Sequence, residues 1–362
     1  MDITKASLAL PVFWGGVLFL LLSTRSRGRL LPARGIELDK DFTNTLKGVA
    51  TFLVLYHHTY LYHPDAYWYL FAGGEFFSGV SLFFFISGVG LALSQEARPR
   101  GVAAFLAHRF RVLAPVVFLS LQARALLGPL MGRDMALELS PLTLLGMREW
   151  FLVAIWAWYL IFILSACIAS KPLRHAAIAL TGGALWAVLQ WNADQYFMAA
   201  MWLRFPLSFM LGVLLADRMK TVTRWLQAAG NGFVAPAVML LCGAGYFLIA
   251  DGVYLQTPLG YAAMEVLIIP ASWALCVLLL KYVGVSRFLT LLGIYSLPIY
   301  LLQVPLLRYG VWFSSGSGAL SLLATWAGII ALAVALQEAV DFLRKAASSL
   351  SPFRATATGR LK

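Results

Sequence analysis

Charge is what this chain has least of. Asp, Glu, Lys and Arg make up 12% of its 362 residues, against about 25% in a soluble globular domain. With 61% hydrophobic residues and a mean hydropathy of +0.80, that deficit excludes a soluble globular protein and makes lipid the solvent. Cysteine is scarce too. Cys167, Cys242 and Cys276 fall in different apolar runs, without CxxC spacing and without a histidine close by in sequence, so they read as lipid-facing or core residues and no metal centre is expected. No polar stretch is long enough to hold a soluble domain, and no internal repeat is present.

What is present is a succession of apolar runs, each near the ~20 residues that a spanning helix needs. They cover 7–23, 47–63, 73–94, 113–131, 150–169, 176–190, 198–216, 233–250, 260–280, 288–307 and 319–340. The expected fold is an all-α, polytopic membrane bundle of about 10–11 transmembrane helices. The first run has Lys5 before it and Arg25, Arg27 and Arg29 after it, with no small-residue cleavage site. It reads as a retained helix and not a cleaved signal peptide.

The formal net charge of +12 has a topological explanation. Taking every second gap between runs, beginning with 24–47, and adding the C-terminal tail collects all of the 28 basic residues except Lys5, Arg124, Arg133, Arg148, Arg204 and Arg308. Such alternation follows the positive-inside rule for a chain with its N-terminus outside and its C-terminus cytoplasmic. No nucleic-acid partner is needed to account for the charge. The opposite gaps carry aromatic and polar residues, as in His63–Trp68, Gln190–Tyr196 and Trp312–Ser317. Those suit interfacial anchoring, or the rim of a sugar-contacting site.

The second run carries the most informative pattern. Lys47 and His58 are eleven residues apart, about 20° beyond three full helical turns, so they share a helix face. The rise between them is about 16 Å, which takes His58 halfway through a ~30 Å hydrocarbon core if Lys47 marks its inner edge. His57 lies about 80° from Lys47 on the same arithmetic. An ionisable residue at membrane depth reads first as functional, and a neutral imidazole can take a proton from a hydroxyl. The plainer reading is a helix-bridging hydrogen bond. Thr51 is expected to continue the polar stripe.

Further along come Gly79, Val80, Phe83, Phe84, Ser87 and Gly88 in one run, then a basic patch of His108, Arg109 and Arg111 ahead of Pro115. On their own these would read as close helix packing and inner-face anchoring. Together, the order Lys-x10-His, then Gly-Val-x-x-Phe-Phe-x-x-Ser-Gly, then basic residues before proline, resembles the acyltransferase 3 family of membrane O-acyltransferases. Three further segments are similar to that family's in the same order. They are Trp150–Leu152 with Tyr159, Arg204–Gly212, and Ser296–Leu301 with Tyr300. The resemblance spans about residues 40–310.

The resemblance implies transfer of an acyl group from coenzyme A to sugars or cell-envelope glycans. It implies a catalytic His58 with Lys47 as its basic partner and His57 adjacent. Arg109, Arg111, Ser87 and Gly88 would meet the acyl-CoA donor, with acetyl-CoA expected, and arginines suit its phosphates by their fork of donors. Trp150, Ser296, Tyr300 and Gln303 match the later segments as acceptor-side residues, and Glu75 is added as an outer polar group. The chain departs from the family at two points. Arg109 and Arg111 stand about 200° apart on an unbroken helix and cannot both face one ligand; and Gln303 stands where the family often has histidine. The first run precedes the family's usual start.

The expected division is an extra N-terminal helix and basic loop over 1–35, an acyltransferase 3-like membrane domain over 36–345, and a basic cytoplasmic tail over 346–362. The expected place is the plasma or inner membrane. Expected partners are membrane lipid, a carbohydrate or glycan acceptor and a coenzyme A thioester, with homo-oligomerisation left open. The rival from another class is a transporter or flippase for an envelope lipid or sugar, with the buried polar groups as its path. A membrane O-acyltransferase of a different fold, with its own buried histidine, is the third reading. Against transport, the sequence has no paired-half symmetry and no broken helices at matching positions.

Overall fold

The computed structural model describes residues 40–62, 78–129, 149–191, 206–228, 232–250, 258–282, 286–309 and 319–349, together with Val17 and Ser23. Among these residues the regular structure is helical throughout. The helices are α1 (Lys40–Tyr62), α2 (Ser78–Ala97), α3 (Val102–Leu127), α4 (Trp150–Ala166), α5 (Lys171–Trp191) and α6 (Pro206–Gln227). They continue with α7 (Val234–Ala250), α8 (Pro258–Tyr282), α9 (Arg287–Ile294), α10 (Ser296–Tyr309) and α11 (Ala319–Ser349). Four of them, α2, α3, α8 and α11, are long and apolar enough to cross a membrane, and α4 and α7 contribute shorter apolar helices. The chain is thus a polytopic helical membrane protein. Glu75, the run at 7–23 apart from Val17 and Ser23, the three aromatic outer segments apart from Gln190 and Trp191, and the tail beyond 349 lie outside the described residues.

Three expected spans differ in the structure. The 288–307 run is two helices, α9 and α10, bent by 81° around Tyr295. The 113–131 run is the second half of α3, which starts at Val102, so Arg109 and Arg111 sit on a helix and not in a connecting gap. Of the 198–216 run, residues 206–216 lie on α6, which continues to Gln227, and residues 198–205 lie outside the described residues.

α1 packs against α2, α8, α9 and α10 and buries Leu46, Ala50, Val54, Leu55 and Tyr56. Its polar residues dilute its hydropathy below that of a lipid-facing span, and the surrounding protein tolerates them. The crossing of α1 and α9 is nearly backbone on backbone. A Cβ on Gly48 would stand 2.0 Å from the Leu289 carbonyl oxygen, and one on Gly293 would stand 1.9 Å from that of Asn44. α2 and α6 meet similarly at Gly88 and Gly212, where added Cβ atoms would lie 2.3 and 2.2 Å from the Phe209 and Phe85 oxygens. Small residues permit such approach where lipid offers no hydrophobic drive for association.

Polar side chains tie the bundle inside and at one end. Glu265 of α8 is buried and accepts hydrogen bonds from Ser81 of α2, at 2.6 Å, and from Ser208 of α6. Trp326 of α11 donates to Thr59 of α1 at 3.0 Å, and Trp273 of α8 donates to Thr223 of α6 at 3.1 Å. At one end of the bundle, Lys171 of α5 meets Glu96 of α2 at 2.8 Å and Asp217 of α6 at 2.6 Å. The hydrogen bonds that Lys171 donates to Asp217 and then to Glu96 hold its ammonium above its ordinary pKa range.

Candidate active site

The bend at Tyr295 shapes the site. α9 lies antiparallel on the first half of α1, locked there by Gly48 and Gly293, so α10 begins beside Lys47 and climbs along the same face as α1. A cavity opens between α1, α2, α3, α4 and α10, lined by Lys47, Phe83, Ser87, Leu113, Phe151, Leu152, Ile155, Tyr159, Ser296, Leu297 and Tyr300. Its volume is about 130 Å³, below the roughly 300–1,000 Å³ of sites that enclose a whole small molecule, so it fits a slender arm of a ligand. Five residues from distant segments of the sequence motif pattern therefore share it: Lys47, Ser87, Tyr159, Ser296 and Tyr300.

Two cations stand at one end. The Arg109 guanidinium lies 5.3 Å from the ring centres of both Phe105 and Tyr159, and it is close enough to Lys47 for their charges to repel. Among the described residues neither cation has a carboxylate partner, and the buried Arg109 Nε has no hydrogen-bond partner. Two like charges held together without a counter-ion favour an anionic ligand. Arg111 points elsewhere: it is exposed and donates from Nε to the Ala107 carbonyl of its own helix. The 200° separation explains the divergence.

Outside the cavity's lining, one turn beyond Tyr300, stand Gln303 and its neighbour His58. The His58 ring stacks on Tyr62, with centroids 6.0 Å apart, and lies 5.4 Å from the ring of His57. Gln303 is one turn beyond Tyr300 on α10 and neighbours His58; it is 1% exposed. Neither its amide nitrogen nor its amide oxygen finds a partner at hydrogen-bonding geometry, and neither does the buried His58 Nδ1. The two side chains nevertheless face each other at close range, and the Val54 carbonyl faces the imidazole, so small rotations would pair His58 with Gln303 or with Val54.

The remaining expected residues have plainer surroundings. Gly88 faces the α6 backbone and not the cavity. Trp150 packs edge-on behind Phe151, and it is Phe151, 4.8 Å from the Tyr300 ring centre, that lines the cavity. Thr51 is not on the cavity stripe; it donates to the Lys47 carbonyl at 2.8 Å and the Leu292 carbonyl at 3.4 Å, fastening α1 to α9. Sequence reasoning missed the ion pair of Arg124 on α3 with Glu149 at the head of α4, beside Tyr300. The signal was available, since Arg124 is one of the six basic residues outside the charge alternation. It also missed Glu265, an acid inside an apolar run. The three cysteines are free, and no group of metal-ligating residues occurs among the described residues.

A helical membrane bundle with an internal cavity that a lysine lines, and with a buried amide and its neighbouring histidine one helical turn beyond the cavity's Tyr300, has the make-up of a membrane enzyme. The family model described as "Acyltransferase domain", of the acyltransferase 3 type, matches residues 41–336; the chain belongs to that family and is a membrane acyltransferase. No curated protein and no solved structure matches it.

Proposed function

We propose that the protein is an O-acyltransferase that moves a small acyl group, acetyl in the first instance, from a coenzyme A thioester to a hydroxyl of a carbohydrate or cell-envelope glycan. The observation that carries this reading is the pair of cations, Lys47 lining the cavity and Arg109 stacked on its Tyr159, that have no carboxylate partner among the described residues. Donor phosphates would meet Arg109 at the basic, cytoplasmic face. The pantetheine arm would run past Ser87, Tyr159 and Ser296 toward Tyr300. The acceptor would approach from the opposite side, toward His58.

The chemistry is a direct displacement. His58 takes the proton from the acceptor hydroxyl as its oxygen bonds to the thioester carbonyl carbon. The carbon–sulfur bond then breaks, the acyl group stays on the acceptor oxygen, and coenzyme A leaves as the thiol after taking up the proton that His58 had accepted. The Gln303 amide N–H is suited to steady the oxyanion on the carbonyl oxygen. Lys47 orients the donor, and His57 supports the His58 ring. The protein would sit in the plasma or inner membrane with its C-terminus cytoplasmic, and the 36–345 segment would form the catalytic domain.

The test is acylation of envelope glycans by His58→Ala and His57→Ala proteins expressed to wild-type level. Loss of general-base assistance lowers transfer by about 10²–10⁴-fold, so His58→Ala is expected to abolish detectable acylation and His57→Ala to reduce it far less. Glycan acylation retained by a folded His58→Ala protein would overturn the assignment.

A further inference from the structure

The hydrogen-bond ladder of α3 lacks a rung close to Arg109. Pro115 lies inside the helix, and a proline has no N–H to give the carbonyl four residues earlier. That carbonyl belongs to Arg111, two residues from Arg109. In the structure it is not left to solvent. Arg344, near the end of α11, reaches across and donates from Nη2 to the Arg111 carbonyl at 3.1 Å and to the Val112 carbonyl at 2.8 Å.

Arg344 is itself anchored. Its Nη1 donates to Asp341 at 3.0 Å, and Gln337 donates to the same carboxylate at 3.3 Å. Its charge is thereby matched by a neighbouring acid, and its Nη2 face is turned to backbone carbonyls. One turn from Asp341, Glu338 accepts a hydrogen bond from the Tyr295 hydroxyl at 2.8 Å. Thus the last turns of α11 grip two points beside the cavity, the carbonyl in α3 that Pro115 leaves without its helical N–H and the bend between α9 and α10. Breaks of these two kinds are where helices flex.

We propose that Arg344, held by Asp341, is a positioning residue for the acyl donor. By replacing the hydrogen bond that Pro115 removes, it fixes the first turns of α3 and so sets Arg109 against the donor's phosphates. It touches no donor atom. This role rests on the donor assignment above and adds an element, α11, that carries no catalytic group.

The proline supplies an internal control. Pro115→Ala restores an N–H for the Arg111 carbonyl and should make Arg344 dispensable. The full-length protein in nanodiscs is titrated with coenzyme A, and initial rates against acetyl-CoA are measured alongside. Arg344→Ala is expected to weaken coenzyme A binding by about tenfold, since small misplacements of a binding group are costly. KM for acetyl-CoA should rise with kcat unchanged, as expected when ground-state and transition-state binding fall together. Asp341→Asn should shift both in the same direction. The double variant Pro115→Ala/Arg344→Ala should bind within about threefold of Pro115→Ala, the non-additivity expected of coupled neighbours.

An equal loss in the Arg344→Ala and double variants would mean that Arg344 meets the donor directly, and would overturn the positioning role. Wild-type affinity in a folded Arg344→Ala protein would overturn it as well. Absence of coenzyme A binding by the wild-type protein would overturn the donor assignment and this role with it, an outcome distinct from the other two.

Discussion

Gln303 sets out the residue-scale argument most sharply. A primary amide buried to 1% exposure, beside His58 but short of good hydrogen-bonding geometry at both polar atoms among the described residues, is a cost to folding, and an apolar residue of similar shape would remove that cost. Gln303→Leu should therefore leave the melting temperature equal or higher, while turnover falls about 10²-fold or more through loss of an oxyanion donor. A thermal melt and a rate measured on the same preparation decide it; a variant that is destabilised and fully active would contradict the account. Arg109 and Arg111 divide the same way. Arg109→Ala should raise the donor KM by about tenfold or more, because a buried charge-assisted contact is lost. The exposed Arg111 side chain should be replaceable by alanine within about twofold, as for a surface group.

At the scale of elements, the crossing of α1 and α9 decides where α10 starts. Gly48→Ala would drive a methyl group into the Leu289 carbonyl, 2.0 Å away; overpacking of this kind costs about 1–3 kcal/mol. The expected result is a lower melting temperature together with loss of activity, since Ser296 and Tyr300 move with α9. Gly90, with nothing within 4 Å of an added Cβ, is the control: Gly90→Ala should be harmless. The Lys171 cluster is a weaker fastening. Its side chain is 45% exposed, so the ion pairs are worth at most about 1 kcal/mol. Because the folded protein raises the Lys171 pKa, that contribution is complete below the unfolded value of about 10.4 and is lost as pH rises through the folded value. Lys171→Ala should narrow the stability difference seen between neutral and strongly alkaline pH.

Elements and site were legible in the sequence to different degrees. Helix phase and charge placement carry over well, because a 3.6-residue period survives whatever the helix packs against. That is why Lys47, Ser87, Ser296 and Tyr300 meet in one cavity. Boundaries and breaks carry over poorly. A continuous apolar run at 288–307 gives no sign of an 81° bend, since the bend depends on close backbone approach at Gly48 and Gly293 from separate helices. Phe151, and not the expected Trp150, lines the cavity for a related reason: a motif names a segment, and only the neighbouring helices decide which of its residues faces inward. Glu265 and Arg124 were visible as charges in apolar surroundings, but their partners Ser81, Ser208 and Glu149 are brought to them by tertiary packing.

For the whole molecule, the contacts group the helix ends in agreement with the charge alternation. Lys171, Glu96 and Asp217 meet, and Arg344 meets the first half of α3, so the basic connections share one end of the bundle. We expect that end to be cytoplasmic. A membrane-impermeant thiol label should leave a cysteine introduced near 346 unmodified in intact cells and modify it in inverted vesicles; the opposite pattern would reverse the orientation. Transport of an envelope lipid or sugar, the other reading of buried polar groups, predicts movement with no covalent change. The account as a whole therefore stands on whether a bond is made at His58. The most direct measurement is mass spectrometry of envelope glycans from cells with the wild-type protein, with His58→Ala, and with none. The account predicts one added acyl group per modified sugar in the first and its absence from the other two. Glycans of identical mass in all three, or acylation that persists with His58→Ala, would contradict it.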